Sequence, residues 1–190
     1  MRADARRNRE RILAAADTAV ARDGAEVSLE EVARLAGVGS ATLHRHFSSR
    51  RALLEAVFTD RVDALCARAR ELGSDPDPGA ALVTWLRAVG AHAAANRGLG
   101  AALMPAGGEG GGESESEGDP ALGSTSHARI TAAGEALLDR ARRAGAVRPA
   151  ATVDRLLTLV GAVALATERG GAREADLLLE LALEGVRPPQ

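Results

Sequence analysis

Within one short stretch, Ala41, Thr42, His44 and Arg45 bring together side chains suited to reading nucleic-acid bases. An arginine can pair bidentately with O6 and N7 of guanine. A threonine can serve a phosphate or a thymine methyl, and an alanine permits close approach. Whether they act together depends on the face they share. At about 100° per residue, Leu43 and Phe47 mark the inner side of a helix here. Ala41 and Arg45 then point outward, flanked by Thr42 and His44. Without a partner element, that face would be only the solvated side of an ordinary helix.

The preceding residues supply the partner. Ser28 followed by Glu31 has the spacing of a capping box, in which each side chain satisfies an orphan backbone N–H at a helix start. Val32, Leu35 and Ala36 fall on one face of that helix, and Gly37 ends it in a left-handed conformation. Gly39 or Ser40 can cap the second helix. Helix, glycine turn and short second helix make a helix-turn-helix, which lays its second helix in the DNA major groove. Upstream, a helix from near Ala5 to Ala21 carries Ile12, Leu13, Ala16, Ala19 and Val20 on one face, with Gly24 as its stop. That stripe covers the motif and gives a three-helix head. Arg2, Arg6, Arg7 and Arg9 suit either a phosphate-following arm or a solvated basic tail.

Taken together, Val27–Leu54 resembles the DNA-binding domain of TetR/AcrR-family transcriptional regulators. The residues that carry the resemblance are Ala36-Gly37-Val38-Gly39, Thr42-Leu43-His44-Arg45-His46-Phe47, Ser49-Arg50 and Leu53-Leu54. Gly39 stands where the family usually has serine, His44 replaces a tyrosine, and Arg50 replaces a lysine while keeping its charge. The resemblance implies DNA contacts by Ser28, Gly39, Ser40, Ala41, Thr42, His44, Arg45, His46 and Arg50. It also implies an all-α fold with the head at residues 1–49 and a helical effector-binding and dimerisation bundle at 50–190.

Composition agrees. The 190-residue chain has no tyrosine, and its three aromatics are Phe47, Phe58 and Trp85, which favours helices over sheet. All 24 basic residues are arginine. Residues 1–51 hold ten arginines against seven acids, a balance of +3, so the net −2 of the whole chain leaves −5 for the rest. For nucleic acid that asymmetry matters more than the total. A head of modest charge binds DNA best as a dimer, where two heads add their phosphate contacts. The lone Cys66 excludes an intramolecular disulfide, and no Cys/His cluster suggests zinc. The arginine-rich start lacks a signal-peptide core and no apolar run reaches membrane length, so a cytoplasmic protein is expected. His44 and His46 point to different sides of one helix and offer no nucleophile–base pair. No enzymatic activity, metal or cofactor is expected.

The second domain should begin with a helix from Ser49 to about Leu72, whose buried side is Leu53, Leu54, Val57, Val62, Leu65 and Leu72. Its first turn, Ser48-Ser49-Arg50, would offer N–H groups and a guanidinium to a phosphate. Resemblance to the family implies that this shared helix carries motion from ligand to DNA. Cys66 reads as a small core residue. A Pro-punctuated turn leads to a helix from about Gly79 to Asn96, with Leu82, Trp85, Leu86 and Val89 inward, then a short helix at Leu99–Met104. Arg97-Gly98-Leu99 after a helix containing Trp85-Leu86 resembles the SbtR-like C-terminal subgroup of the family. Since such helices line a ligand cavity in the family, the resemblance makes Trp85, His92, Leu99, Leu103 and Met104 the candidate wall.

Residues 105–125 are glycine-rich and acidic, and disorder is expected there. Ser126 should cap a helix reaching Ala144, with Gly145 as its stop. Thr152–Glu168 is apolar nearly all round, and Arg173–Leu183 carries Leu177, Leu178, Leu181 and Ala182 at helical spacing, widened by Leu179 and Leu183. These two helices read as a homodimer interface, forming a four-helix bundle as in the family. The expected function is operator binding as a homodimer, most often repression, released by a small molecule. The alternative is a regulator whose second domain only dimerises or binds a protein partner.

Overall fold

A computed structural model describes residues 2–95, 120–167 and 171–185 of the chain. Its elements are α1 (Arg2–Asp23), a 3-10 turn (Gly24–Glu26), α2 (Leu29–Ala36), α3 (Ser40–His46), α4 (Arg50–Leu72), α5 (Pro78–Ala95), α6 (Pro120–Arg143), α7 (Val153–Ala166) and α8 (Gly171–Glu184). They make two compact units, divided within α4 between Asp60 and Arg61. No helix among the described residues is long and apolar enough to cross a membrane.

The first unit is built on a core from α1–α4. Ile12, Ala16, Val20, Val32, Ala36, Leu43, Phe47, Leu53, Leu54 and Val57 are all buried in it. Gly24 ends α1 with a φ of 67°, and Gly37 ends α2 with a φ of 62°. At Gly37 a side chain would be doubly opposed. The left-handed backbone disfavours it, and an added Cβ would lie 2.6 Å from Arg11 Nη2. That guanidinium donates to the Gly37 carbonyl at 3.1 Å and so ties α1 to the turn.

Two local expectations need correction. The capping box is half-formed: Ser28 Oγ accepts the Glu31 N–H at 3.4 Å, while the Glu31 carboxylate accepts from Arg22 at 2.6 Å. A guanidinium from α1 outcompetes a single backbone N–H for that carboxylate. The buried stripe of α2 is Val32, Ala33 and Ala36, and Leu35 is 43% exposed. The small Ala33 allows close packing on its side of the stripe and rotates the helix so that Leu35 falls beyond the opposite edge.

The second unit surrounds Trp85, which is fully buried with Leu65, Leu82, Leu86, Leu137, Leu138, Val153 and Leu156. Its indole N–H donates to the Leu65 carbonyl at 3.1 Å. Asp77 Oδ1 caps α5 by accepting the Ala80 N–H at 2.9 Å, and Pro78 sits at the first helical position, where no N–H is needed. Arg140 donates to the carbonyls of Leu72 and Asp75 at 3.2 and 2.8 Å, which ties α6 to the α4–α5 turn. Gly145 turns the chain after α6 with a φ of 67°. Thr152 caps α7, its Oγ1 accepting the Arg155 N–H at 3.4 Å.

Helix α6 begins at Pro120, earlier than expected. Ser126 is therefore a buried residue inside the helix and not its cap, and residues 120–125 are helical. Proline's fixed φ makes Pro120 a better helix start than a serine one and a half turns further on. The expected short helix at Leu99–Met104 and the loop at 105–119 lie outside the described residues.

Gly134 lies against the Trp85 ring, where an added Cβ would come within 2.8 Å of two ring carbons and 3.1 Å of Val153. Glycine is usually the poorer helix residue, by about 0.5–1 kcal/mol relative to alanine. Here overpacking should dominate, so Gly134→Ala is expected to lower stability in urea by about 1–3 kcal/mol. A gain would mean that the ring moves aside freely.

Candidate nucleic-acid interface

Helix α3 has seven residues and rests on two side chains, Leu43 at 0% and Phe47 at 4% exposure. Fixing these inward leaves Ser40, Ala41, His44 and Arg45 exposed, with Thr42 and His46 half-buried. The order around the helix is the one that periodicity indicates. Phe47 is gripped from outside as well: the Arg9 guanidinium lies 5.7 Å from its ring centroid, and the His46 ring is tilted against it with centroids 6.5 Å apart. His46 thus serves partly to pack the end of the helix.

Gly39 is the residue before α3 and supplies no side-chain cap. Its φ of −71° and ψ of 149° are open to any residue, and an added Cβ would meet nothing within 4 Å. The missing serine is therefore not excluded by the fold. At α4 the cap is Ser49, whose Oγ accepts the Ala52 N–H at 3.1 Å.

The remaining expected contact residues have acidic neighbours that the motif alone did not reveal. Arg50 Nη1 donates to Glu26 Oε2 at 3.2 Å. The Ser28 hydroxyl donates to Glu30 Oε2 at 2.8 Å. The Glu30 carboxyl is held below its usual range by its own backbone N–H first, then by Ser28, with His44 contributing through its charge. Arg45, by contrast, has no hydrogen bond or ion pair among the described residues.

A separate cleft of about 440 Å³ opens in the second unit between α5, α6 and α7. Val89, Ala93, Ile130, Leu157 and Gly161 give it apolar walls, and His92, His127, Asp154 and Thr158 add polar groups. The volume lies within the range of small-molecule sites. Of the expected wall residues, His92 lines the cleft. Trp85 does not: its ring is enclosed by the core and its N–H is already satisfied, so it serves packing. Leu99, Leu103 and Met104 lie outside the described residues. Asp154, Leu157, Thr158 and Gly161 were missed because α7 reads as a partner-facing helix from its apolar composition.

Burial, helped by the nearby Arg61 charge, pushes the His92 imidazole down to about 4. An unfolded histidine takes up a proton near pH 6.5, whereas the folded one stays neutral down to about 4. The stability due to neutral His92 is therefore complete above pH 6.5 and declines as pH falls toward 4. His92→Gln should narrow the stability gap between pH 7 and pH 5 measured by urea melts. An identical gap in both proteins would refute the assignment.

Comparison with known proteins agrees with this architecture. Residues 12–57 match the model of bacterial regulatory proteins of the tetR family, and residues 77–188 match that of the SbtR-like transcriptional regulator C-terminal domain. A TetR transcriptional regulator from Streptomyces coelicolor is 34% identical, with 96% of this chain and 99% of that one covered and a TM-score of 0.79. A TetR regulatory protein from Mycobacterium vanbaalenii is also 34% identical, with coverage of 98% and 99% and a TM-score of 0.75. No curated protein matches the chain. With a matching helix-turn-helix head, a matching C-terminal domain and full-length structural relatives, the chain belongs to the TetR family of DNA-binding transcriptional regulators.

Proposed function

We propose that two copies of this chain pair through α7 and α8 and read an inverted-repeat operator with their two α3 helices. The observation that carries this reading is the outward face of α3, where Ala41 and Arg45 stand exposed opposite the buried Leu43 and Phe47. Arg45 reads a guanine edge, Ala41 lets the helix sit deep in the groove, and Thr42 and His44 serve the backbone on either side. Repression follows when the occupied operator overlaps a promoter.

Pairing is supported by an apolar surface that one copy leaves open. Leu165, Leu177 and Leu181 are 66%, 56% and 65% exposed, and Leu178 is exposed beside them, while Leu179 and Leu183 of the same α8 are buried. A helix with leucines on two sides needs two partners, and among the described residues only one side finds one. A twofold axis would place the same surface on both copies.

The α5–α6–α7 cleft supports release by a small molecule with a largely apolar body and one or two hydrogen-bonding groups. His92 brings a neutral imidazole to the wall of the cleft. Thr158 donates its proton to the Asp154 carbonyl at 2.7 Å and so faces the cleft as an acceptor. Such a ligand lowers DNA affinity only by preferring a conformation in which the two heads no longer match half-sites about one helical turn apart.

Selection of bound sequences from a random duplex pool should yield an inverted repeat with a fixed centre. On that operator, Arg45→Ala should cost about 1–3 kcal/mol per half-site and relax specificity at one base pair. Equal weakening on every sequence would restrict Arg45 to phosphate contact. Leu177→Glu combined with Leu181→Glu should convert the dimer to a folded monomer by light scattering. A dimer that survives both charges would move the interface elsewhere. A thermal-shift screen with no response to apolar or amphipathic compounds would favour a second unit that only dimerises or binds a protein.

A further inference from the structure

The groups around α3 differ in how they are engaged. Arg45, on the outward face, makes no hydrogen bond or ion pair among the described residues. The groups suited to phosphate are held by acids. Ser28 gives its single hydroxyl proton to Glu30 at 2.8 Å, and Arg50 donates to Glu26 at 3.2 Å. The Glu26–Arg50 pair is open to solvent, at 86% and 48% exposure, and an exposed pair adds little to folding. The helix dipole explains an acid in the first turn of α2, where Glu30 sits next to Glu31. It does not explain Glu26, which precedes the helix.

We propose that Glu26 and Glu30 compete with the DNA backbone for the head's phosphate-binding donors and so hold down its sequence-independent affinity. This rests on the reading of α3 as the groove-reading helix. A hydroxyl has one proton, so Ser28 must leave Glu30 before it can donate to a phosphate oxygen. A guanidinium already neutralised by a carboxylate displaces fewer counterions when it meets DNA. Each such contact is an exchange of one anionic oxygen for another, and its net gain is small. Arg45 carries no such penalty, so base reading supplies a larger share of the total.

The test uses the full-length chain with Glu26→Gln, Glu30→Gln and both together. Binding to a random-sequence duplex and to the selected operator is followed by fluorescence anisotropy over a salt series. Glu26→Gln should tighten binding to the random duplex by about fivefold per dimer, from two exposed ion pairs released, and Glu30→Gln, which leaves Ser28 a weaker amide-oxygen acceptor, should tighten it by less. Glu26→Gln should also steepen the plot of log K against log salt by about 2, from one added phosphate per head. The factor lost through Arg45→Ala on the operator should stay the same in either background. Both changes preserve shape at exposed positions, and melting curves coincident with the wild type check the fold.

An unchanged random-duplex affinity and salt slope would place the acids away from the DNA and overturn the proposal. Weaker binding would overturn it too, since the acids would then be orienting the donors. Failure of the underlying reading shows on the wild type alone, as no enrichment of any sequence from the random pool.

Discussion

A helix of seven residues cannot support itself in water, because the cost of its first turn exceeds the return from the few hydrogen bonds that follow. Everything that α3 offers to a partner depends on the burial of Leu43 and Phe47. These two side chains set its rotation, and its rotation decides that Ala41 and Arg45 face outward. The core that receives them takes residues from α1, α2 and α4, so that outward face is a property of the whole head. Arg9 against Phe47 and Arg11 on the Gly37 carbonyl add two polar clamps from α1, one where α3 ends and one at the turn before it.

Arginine plays the same part in the second unit. Arg140 holds two carbonyls at once, and Arg142 reaches the Ala151 carbonyl at 2.7 Å while also donating to Asp139 at 3.0 Å. The planar fork meets several acceptors with one side chain, which a lysine's single ammonium does less well. In a chain without lysine, the turns around α6 are secured by these forks, and the apolar core around Trp85 is left free of charge. Along α5, the lining of the α5–α6–α7 cleft begins at Val89, about one helical turn on from that tryptophan.

Much of this was legible in the residues. Glycines at 24, 37 and 145 marked the ends of helices because only a left-handed residue turns the chain there. Leu43 and Phe47 were readable because a four-residue spacing leaves one orientation that buries both. What escaped was whatever depends on a second element. Leu35 looks buried by spacing alone, but the partner that α2 meets prefers the small Ala33. Glu31 has the spacing of a reciprocal cap, yet Arg22 arrives from α1 and takes it. The pairing of Arg50 with Glu26 spans residues far apart in sequence and carries no local signal. Resemblance alone puts Trp85 in a ligand wall, although a residue with so much apolar area is as useful at the centre of a core. The sequence around Ser126 suggested a helix start because a serine is a good cap, but Pro120 had already begun the helix.

The two cores differ in how far along the chain they reach. The head's core is drawn from Ile12 to Val57, whereas the core around Trp85 needs residues from Leu65 to Leu183. Contacts within the head are short in sequence, and short-range contacts close quickly at little entropic cost. During synthesis the head has all its core residues once the first third of the chain has emerged, while the second unit must wait for α8. The part that meets DNA thus acquires its shape ahead of the part that would regulate it. The exposed leucines of α8, the surface most prone to wrong association, emerge only after every core residue of the head.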